Sequence, residues 1–457
     1  MNVQKTKSSL FVMFLLLTFG FIQAQEKKQL TLKEAIDLSV SHSPNLKLST
    51  AKIAEADAAL KIAKENKLPE ASVSGSHIRL NNPNIDLKSA SNSGGGSGGG
   101  GATQEVSVHS ATYGILNVSL PLYAGGKIRY GIESSRYLAE ASKLDAVTDR
   151  DAIVINTINA YTNFYKASAA VKVVKESVEG NRERVRQFTN LEKEGLLARN
   201  DLLKAKLQES NTELTLAEAE NNLKLANANM NIMLGLGDST IIELTEAGWD
   251  FDSKGKTIED FQQMALQNRK DVEAVNLRNK AAKTGINIAK ADYYPSFALT
   301  GGYIAAYVPN FLTITNAANV GLGLKYNIAS LWKTHAHVDQ AKARQQEVEA
   351  NSLMLADGIK MDVNKAYYSY ILSVRKIETY KSAVDQAEEN YRISKNKYDN
   401  ALLNTTDLLD ADVLQLQAKL NYAFAEADAS AAYNKLLQVT GVISGESASA
   451  KTESNQK

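Results

Sequence analysis

Few residues in this 457-residue chain have the types and spacing that chemistry requires. The clearest group is a pair of carboxylates, Asp407 and Asp410, which lie three residues apart and share one face if the segment is helical. His335 and His337 are two residues apart, a spacing that points their rings apart on a helix. No nucleophile–base motif or phosphate-binding loop is present in the sequence. The sequence therefore predicts no catalytic residue, no cofactor, no metal site and no enzyme.

The carboxylate pair lies in a segment that occurs twice. Residues 195–203 read Gly-Leu-Leu-Ala-Arg-Asn-Asp-Leu-Leu, and residues 401–409 read Ala-Leu-Leu-Asn-Thr-Thr-Asp-Leu-Leu, 206 positions later. Residues 44–74 align with 270–300 at an offset of 226. A repeat of this length indicates one structural unit used twice. Its equivalent turn residues are Asp201, Leu202 and Leu203 in the first copy and Asp407, Leu408 and Leu409 in the second.

Composition narrows the class of protein. Residues 1–24 read as a secretory signal peptide, with Lys5 and Lys7 before an apolar run over Leu10–Ile22 and with Ala24 before the cut. Its removal lowers the formal charge by two, from +1 to −1, which gives no electrostatic basis for nucleic-acid binding. The chain has no cysteine, so we expect no disulfide, no thiolate metal site and no lipid-modified N-terminal cysteine.

Proline positions predict where the long helices lie, because a helix interior tolerates proline poorly. No proline lies between residues 122 and 294 or after residue 309. We predict long helices over 127–193 and 333–398, each followed by a return helix, over 200–234 and 406–440. A helix of the first length would span about 100 Å. Since its apolar seam repeats every seven residues, it needs parallel partners from its own chain and from other copies.

Four segments alternate apolar and polar residues as strands do, and they lie at 71–80, 112–123, 295–304 and 319–329. Any one of them alone is compatible with an ordinary half-buried sheet. Together with the long helices and the signal peptide, they favour a transmembrane barrel. Four strands cannot close a barrel, and lipid does not tolerate an open sheet edge, so several copies must share one barrel. Three copies would supply twelve strands.

The remaining segments complete the predicted organisation. The two structural repeats occupy 25–235 and 259–441, joined by an equatorial linker over 236–258 and followed by a polar tail over 442–457. Two strand-joining segments, the glycine-rich residues 94–101 and residues 305–318, are predicted to be long outer loops.

The layout resembles that of the TolC family of trimeric outer-membrane efflux proteins, and the resemblance covers essentially the whole mature chain. It rests on the duplication, on the Gly/Ala-Leu-Leu…Asp-Leu-Leu turn of both halves, and on the closing Leu234-Gly235 and Thr440-Gly441. The resemblance implies an α+β membrane protein, mainly α, that forms a homotrimer with a twelve-stranded barrel in outer-membrane lipid and a helical tunnel through the Gram-negative periplasm. It also implies a passive exit duct for multidrug efflux or type I secretion, fed by an inner-membrane pump of RND or ABC type and a periplasmic adaptor.

The resemblance also assigns residues. Adaptor docking falls on the turns at 194–200 and 400–406, through Gly195, Leu196, Leu197, Ala401, Leu402 and Leu403. Asp407 and Asp410 match aspartates that surround the narrow periplasmic entrance in the family, so three copies would place six carboxylates around one axis, where they would favour cations.

A purely structural role remains an alternative for each of these assignments. The paired leucines could pack inside their own turns. Asp407 could serve a helix start capped by Thr405 or Thr406, although this does not explain Asp410, whose repeat partner is Lys204. Many members carry a basic residue where Leu403 stands, so the sequence leaves the latch of the closed state undefined.

Two other classes of protein are compatible with long helices. A periplasmic adaptor has one helical hairpin and lacks duplicated membrane strands, and a structural coiled coil or adhesin would leave the turn motifs unexplained. The sequence identifies neither the cargo nor the particular pump.

Overall fold

The computed structural model describes residues 27–81, 108–245, 255–309 and 311–443. The predicted signal peptide over 1–24 and the glycine-rich residues 94–101 lie outside these described residues, as does most of the predicted tail over 442–457.

Helices make up most of the structure, and the prediction of a mainly helical chain is confirmed. The helices are α1 (Leu32–His42), α2 (Pro44–Glu65), α3 (Lys127–Lys193), α4 (Arg199–Leu234), α5 (Ile258–Asn268), α6 (Lys270–Lys290), α7 (Ser330–Asp399) and α8 (Thr405–Val439). The strands are β1 (Lys27–Leu30), β2 (Glu70–Arg79), β3 (Ser110–Ala124), β4 (Ile241–Leu244), β5 (Ser296–Val308) and β6 (Leu312–Lys325). Among the described residues, no helix is apolar enough over a sufficient length to cross a membrane.

The repeat is visible in the way that the helices begin. A capping box starts α1, where the Thr31 hydroxyl accepts from the backbone N–H of Glu34 and the Glu34 carboxylate accepts from Thr31. Thr257 and Asp260, 226 positions later, form the same box at the start of α5. Hydrogen bonds from the Thr31 backbone lower the pKa of Glu34, and those from the Thr257 backbone lower the pKa of Asp260.

Four strands form one antiparallel sheet in the order β2–β3–β5–β6. Its register gives the sheet two different faces. One face carries a row of Val73, Leu116 and Tyr303, and further rows that include Leu120, Leu299 and Leu322. The other face carries Ser72, Asn117, Gly302 and Asn319 in one row, and Ser119, Thr300 and Gly321 in the next.

Two predictions about this sheet are wrong. The strand predicted over 319–329 runs over Leu312–Lys325, and most of the loop predicted over 305–318 is strand. β5 continues to Val308, where Pro309 can no longer donate a ladder hydrogen bond. β6 ends early because the Asn327 side chain accepts from the Ala329 N–H and the Asn327 carbonyl from the Ser330 N–H, which turns the chain into α7.

The predicted equatorial linker over 236–258 also contains a strand that the sequence analysis did not predict. β4 pairs in parallel with β1, and Lys27 and Glu243 form an ion pair of 2.7 Å across the two strands. Each strand has only four residues, too few for alternation to be recognised from the sequence.

The chain forms two compact units, and each unit draws on both repeats. One unit comprises residues 52–143 and 273–352 and contains the four-stranded sheet. The other comprises the described parts of 1–51, 144–272 and 353–457. Its largest apolar cluster packs residues of α3, α5, α7 and α8 together, including Ile158, Phe261, Val363, Tyr370 and Leu436. Both repeats therefore contribute to one core.

Candidate functional site at the helix turns

The two repeated turns have the same backbone geometry. At the end of α3, the N–H of Gly195 donates to the Glu192 carbonyl and that of Leu196 to the Leu191 carbonyl, at 3.0 and 2.9 Å. At the end of α7, Ala401 and Leu402 make the equivalent bonds, at 2.9 and 2.8 Å. This is a Schellman motif, which requires a left-handed residue just past the helix.

That requirement falls on different residue types in the two repeats. Gly195 has a φ of 72° and Ala401 a φ of 58°. Glycine adopts this conformation freely, whereas an alanine side chain crowds its own backbone there. The second turn therefore holds a strained backbone that the first turn does not.

The paired leucines divide between two roles. Leu196 and Leu402 are largely exposed, whereas Leu197 and Leu403 are half-buried. Leu197 packs against an apolar cluster beneath the turn. The first leucine of each pair is thus exposed, and the second is partly covered by its own chain.

The cluster beneath the turns joins both repeats. Phe188, Leu202, Ala205 and Leu408 form its buried part, and the Phe188 ring stacks on Tyr398 with centroids 5.4 Å apart. Burial raises the pKa of the Tyr398 phenol above its ordinary value. Of the other predicted turn residues, Leu409 is buried and Leu203 is exposed.

Asp407 lies in the first turn of α8, as the alternative interpretation has it, but neither threonine named in that interpretation is the cap. The N-cap is Asn404, not Thr405 or Thr406, and its side-chain oxygen accepts from the Asp407 N–H at 2.9 Å. The Asn404 amide group also donates to the Asp407 carboxylate at 3.0 Å. Asparagine was overlooked because threonines at the next two positions offer equally good cap chemistry. The exposed Asp407 carboxylate therefore has a structural role at the helix start as well as a free side.

The two carboxylates at the start of α8 are less neutralised than Asp201, the one acid at the equivalent positions of the first repeat. Asp201 is half-buried and forms an ion pair with Lys204 at 3.2 Å, and Lys204 also donates to the Thr406 hydroxyl at 3.1 Å. Asp410 occupies the position equivalent to Lys204, is exposed, and has no ion pair or hydrogen bond with another described residue. Unscreened negative charge is thus concentrated at the start of α8.

A buried ion pair lies deeper in the same helix bundle. The guanidinium of Arg184 on α3 holds both carboxylate oxygens of Asp412 on α8, at 3.0 and 3.2 Å. It also donates to the Asn181 side chain at 2.6 Å and to the Tyr391 hydroxyl on α7 at 2.8 Å. Asn181 in turn donates to Thr212 on α4 at 3.0 Å. The network therefore connects all four long helices.

The charges in this network support each other. The Arg184 and Asp412 side chains are only 8% and 13% exposed. Burial acts to lower the pKa of the Arg184 guanidinium, but the hydrogen bonds and charge of Asp412 outweigh it, so that pKa lies above its ordinary value.

Sequence reasoning missed this network. One signal was present, since Asn181 places a polar side chain in the apolar seam between Val178 and Val185. A polar residue in a heptad seam commonly has a dedicated partner. The partner itself could not be found, because Asp412 is 228 residues away from Arg184.

Comparisons with known proteins show which family and which proteins this chain is similar to. The profile of the family described as outer membrane efflux protein matches residues 35–236 and 262–442, which is most of the chain. The cobalt-zinc-cadmium resistance protein CzcC of Cupriavidus metallidurans is 22% identical over 311 residues, covering 67% of this chain and 71% of CzcC. The cation efflux system protein CusC of Escherichia coli K12 is 24% identical over 327 residues, covering 70% of this chain and 66% of CusC.

A solved structure shares the fold. The outer membrane protein VceC of Vibrio cholerae superposes with a TM-score of 0.74 at 18% identity, covering 90% of this chain and 96% of VceC.

We predict that Asp412→Asn loosens the start of α8. Removal of one partner leaves a buried charge uncompensated, which costs about 3 kcal/mol. Hydrogen exchange of the α8 amides around residue 412 should accelerate by roughly a hundredfold. Glu426→Gln, which removes an exposed acid from the same helix, should leave exchange unchanged. Wild-type exchange rates in Asp412→Asn would show that the ion pair holds nothing.

We also predict that Ala401→Gly stabilises the second turn by about 1 kcal/mol, because glycine relieves the left-handed backbone. The matched variant Gly195→Ala should destabilise the first turn by a similar amount, since no atom lies within 4 Å of the added methyl group and the backbone alone decides. Hydrogen exchange at the C-terminal end of each long helix measures both effects. Slower exchange in Gly195→Ala would contradict the interpretation.

Proposed function

Because this chain belongs to the outer membrane efflux protein family, we propose that three copies of it form one closed exit duct, with its periplasmic entrance at the turns after α3 and α7. It acts as an outer-membrane exit channel of efflux pumps and is not an enzyme. The trimer, the shared barrel, the entrance and the partners are the proposed parts.

The two-faced sheet supports a shared barrel. A mainly apolar face opposite a mainly polar face suits strands that separate lipid from a lumen. β2 and β6 are the two edges of the sheet, and neither pairs with a further strand among the described residues. In lipid, each edge needs a strand from another copy.

A comparison of equivalent helix positions carries the proposal of a ring. Ile155 and Thr162 on α3 are 5% and 3% exposed, inside the unit that joins the repeats. Met361 and Tyr368, at the equivalent positions of α7, are 54% and 65% exposed. One repeat therefore has this face covered by its own chain, and the other leaves it open. A second copy that covers the open face head-to-tail produces a ring.

The contact between α3 and α8 within one chain serves as the template for the proposed contact between copies. Within the chain, α3 packs against α8, where Lys166 pairs with Asp428 at 2.8 Å and Arg184 with Asp412. The equivalent contact between copies places α7 against α4 of the next copy. The repeat offset of 206 residues turns the Lys166–Asp428 pair into a pairing of position 372 on α7 with position 222 on α4 of the next copy.

The exposed apolar residues fit this pairing. Tyr368 is four positions before residue 372 and thus faces Leu225 of the next copy, which is exposed in the protomer. Met361 lies seven positions before Tyr368. Because the two helices are antiparallel, it faces Ile232 of that copy, which lies seven positions after Leu225 and is exposed in the protomer. Apolar side chains at heptad spacing on both helices form a seam.

The proposed entrance follows from charge. Asp410 is exposed and unpaired among the described residues, and Asp407 lies one turn away. In a ring of three copies these residues form a cation-attracting constriction. The buried Arg184–Asp412 network is the proposed intraprotomer brace behind it, in place of a basic residue at Leu403.

Membership of the family supports the proposed partners. Leu196 and Leu402, exposed at the turns, are proposed to dock the tip of a periplasmic adaptor that couples the duct to an inner-membrane pump. The names of CzcC and CusC refer to metal cations, and an acidic entrance is compatible with cationic cargo.

We predict that Tyr368→Cys/Leu225→Cys forms covalent bonds between copies. The chain has no native cysteine, so each cross-link reports on this one contact. Under oxidising conditions a denaturing gel should show dimers and trimers. Tyr368→Cys/Leu214→Cys is the matched control. Leu214 lies about 16 Å from Leu225, toward the start of α4, and should not cross-link. Equal cross-linking in both variants, or none in either, would refute the pairing.

We predict small, cation-selective currents from the purified protein in planar bilayers, blocked from the periplasmic side by a trivalent cation. Asp407→Asn/Asp410→Asn should weaken the block by about tenfold or more, because six carboxylates are lost. Glu378→Gln/Asp385→Asn removes two exposed acids of α7 and should leave the block unchanged. Conducting channels with wild-type block in the first variant would retain the duct and reject the gate.

A further inference from the structure

A basic cavity lies where the sheet meets its helices. Lys67, Arg129, Ile132, Glu133 and Arg136 line it, and its volume is about 310 Å³. The four α3 residues are spaced i, i+3, i+4 and i+7, so they share one face of the helix. Three cationic side chains therefore converge with a single acid.

The cations are not neutralised by the protein. Among the described residues, no carboxylate lies within ion-pair distance of any of the three. The Glu133 carboxylate accepts a hydrogen bond from the Tyr137 hydroxyl at 3.1 Å. Arg129 and Arg136 each lie over a neighbouring tyrosine ring, at 5.9 and 5.4 Å, which orients their guanidinium groups.

The second repeat provides an internal comparison. The positions equivalent to Arg129, Glu133 and Arg136 are His335, Asp339 and Lys342. There the acid is paired with both neighbours, with His335 at 2.9 Å and with Lys342 at 3.2 Å. The same helix face is thus self-neutralised in one repeat and left cationic in the other. General solubility of the helix does not account for this difference.

The cavity lies next to the end of the sheet that continues into the helices. All four connections to the helices α2, α3, α6 and α7 are at this end, because β2 and β5 begin there and β3 and β6 end there. On the apolar face, the exposed rings of Tyr123 and Phe297 lie 6.2 Å apart at the same end. Aromatic rings of this kind mark the border between lipid and water.

The helix geometry brings the cations back toward that border. Arg129 is the third residue of α3, and Arg136 lies about 13 Å along the helix from its start. Side chains on a helix lean toward its N-terminus, which here is the end joined to the sheet. A long arginine side chain extends further in the same direction.

From these observations, and resting on the proposed position of the sheet in the membrane, we propose that this cavity binds the phosphate headgroup of an anionic phospholipid in the periplasm-facing leaflet. Arginine suits a phosphodiester because its planar fork can hold two phosphate oxygens. The acyl chains lie along the apolar face of the sheet, beyond Tyr123 and Phe297. Lipid recognition by basic pockets at a membrane border follows the same physics.

The test measures binding of labelled phosphatidylglycerol to the detergent-purified full chain. In Lys67→Gln/Arg129→Gln/Arg136→Gln, affinity should fall by about tenfold or more, because charge-assisted hydrogen bonds are lost. Lys333→Gln/Lys342→Gln/Arg344→Gln removes the same charge from exposed positions near the start of α7 and should bind as wild type. If the triple variant fails to assemble, Arg129→Gln alone should give an intermediate loss.

Three results would overturn the proposal. Wild-type lipid affinity in the triple variant would show that the cavity does not bind lipid. Inorganic phosphate that binds the wild type in a cavity-dependent manner, without cavity-dependent lipid binding, would make this a site for free phosphate. Altered conductance with unchanged lipid affinity would place the cations along the lumen. Retained conductance with lost lipid affinity separates this proposal from the duct itself.

Discussion

The packing of α3 against α8 is the contact on which the rest of the account depends. It joins the two repeats through a buried bidentate ion pair, a second ion pair at Lys166, and an apolar cluster beneath the turns. Because the chain is a duplication, we propose that the equivalent contact, α7 against α4, forms between copies. The apolar residues that α7 and α4 leave exposed support this proposal, since burial of apolar surface is the main favourable term in association.

Departures from the repeat are as informative as the repeat itself. Where the first repeat pairs Asp201 with Lys204, the second leaves Asp410 without a partner among the described residues. Where the first repeat leaves Arg129 and Arg136 without an ion pair among the described residues, the second pairs Asp339 with Lys342 and brings His335 within 2.9 Å of its carboxylate. The duplication supplies the scaffold, and the two proposed sites lie where the repeats differ in charge. This is the distribution expected if packing constrains both repeats and function constrains one.

The sequence predicted the helices well because their signals are local and long. Proline-free segments and heptad seams extend over many turns. A helix such as Lys127–Lys193 can therefore be predicted from its own sequence pattern. The strand predicted over 319–329 was misplaced because alternation continues through Tyr326 and Ile328, whereas a turn centred on Asn327 ends the ladder. The N-cap was misassigned because three successive residues have suitable side chains.

The sequence could not predict contacts between residues that are far apart in the chain. The Arg184–Asp412 pair depends on two helices meeting, and nothing near either residue identifies the other. The packing of Leu197, the second leucine of the first turn, likewise depends on the cluster below the turn.

The most direct test of the proposed ring of copies is a structure of the purified wild-type protein by electron cryomicroscopy. The account predicts three copies around one axis, twelve strands in one closed barrel, and α7 of each copy against α4 of the next, with Tyr368 beside Leu225 of that copy. Copies joined through another helix pair, or a barrel closed by a different number of chains, would contradict it.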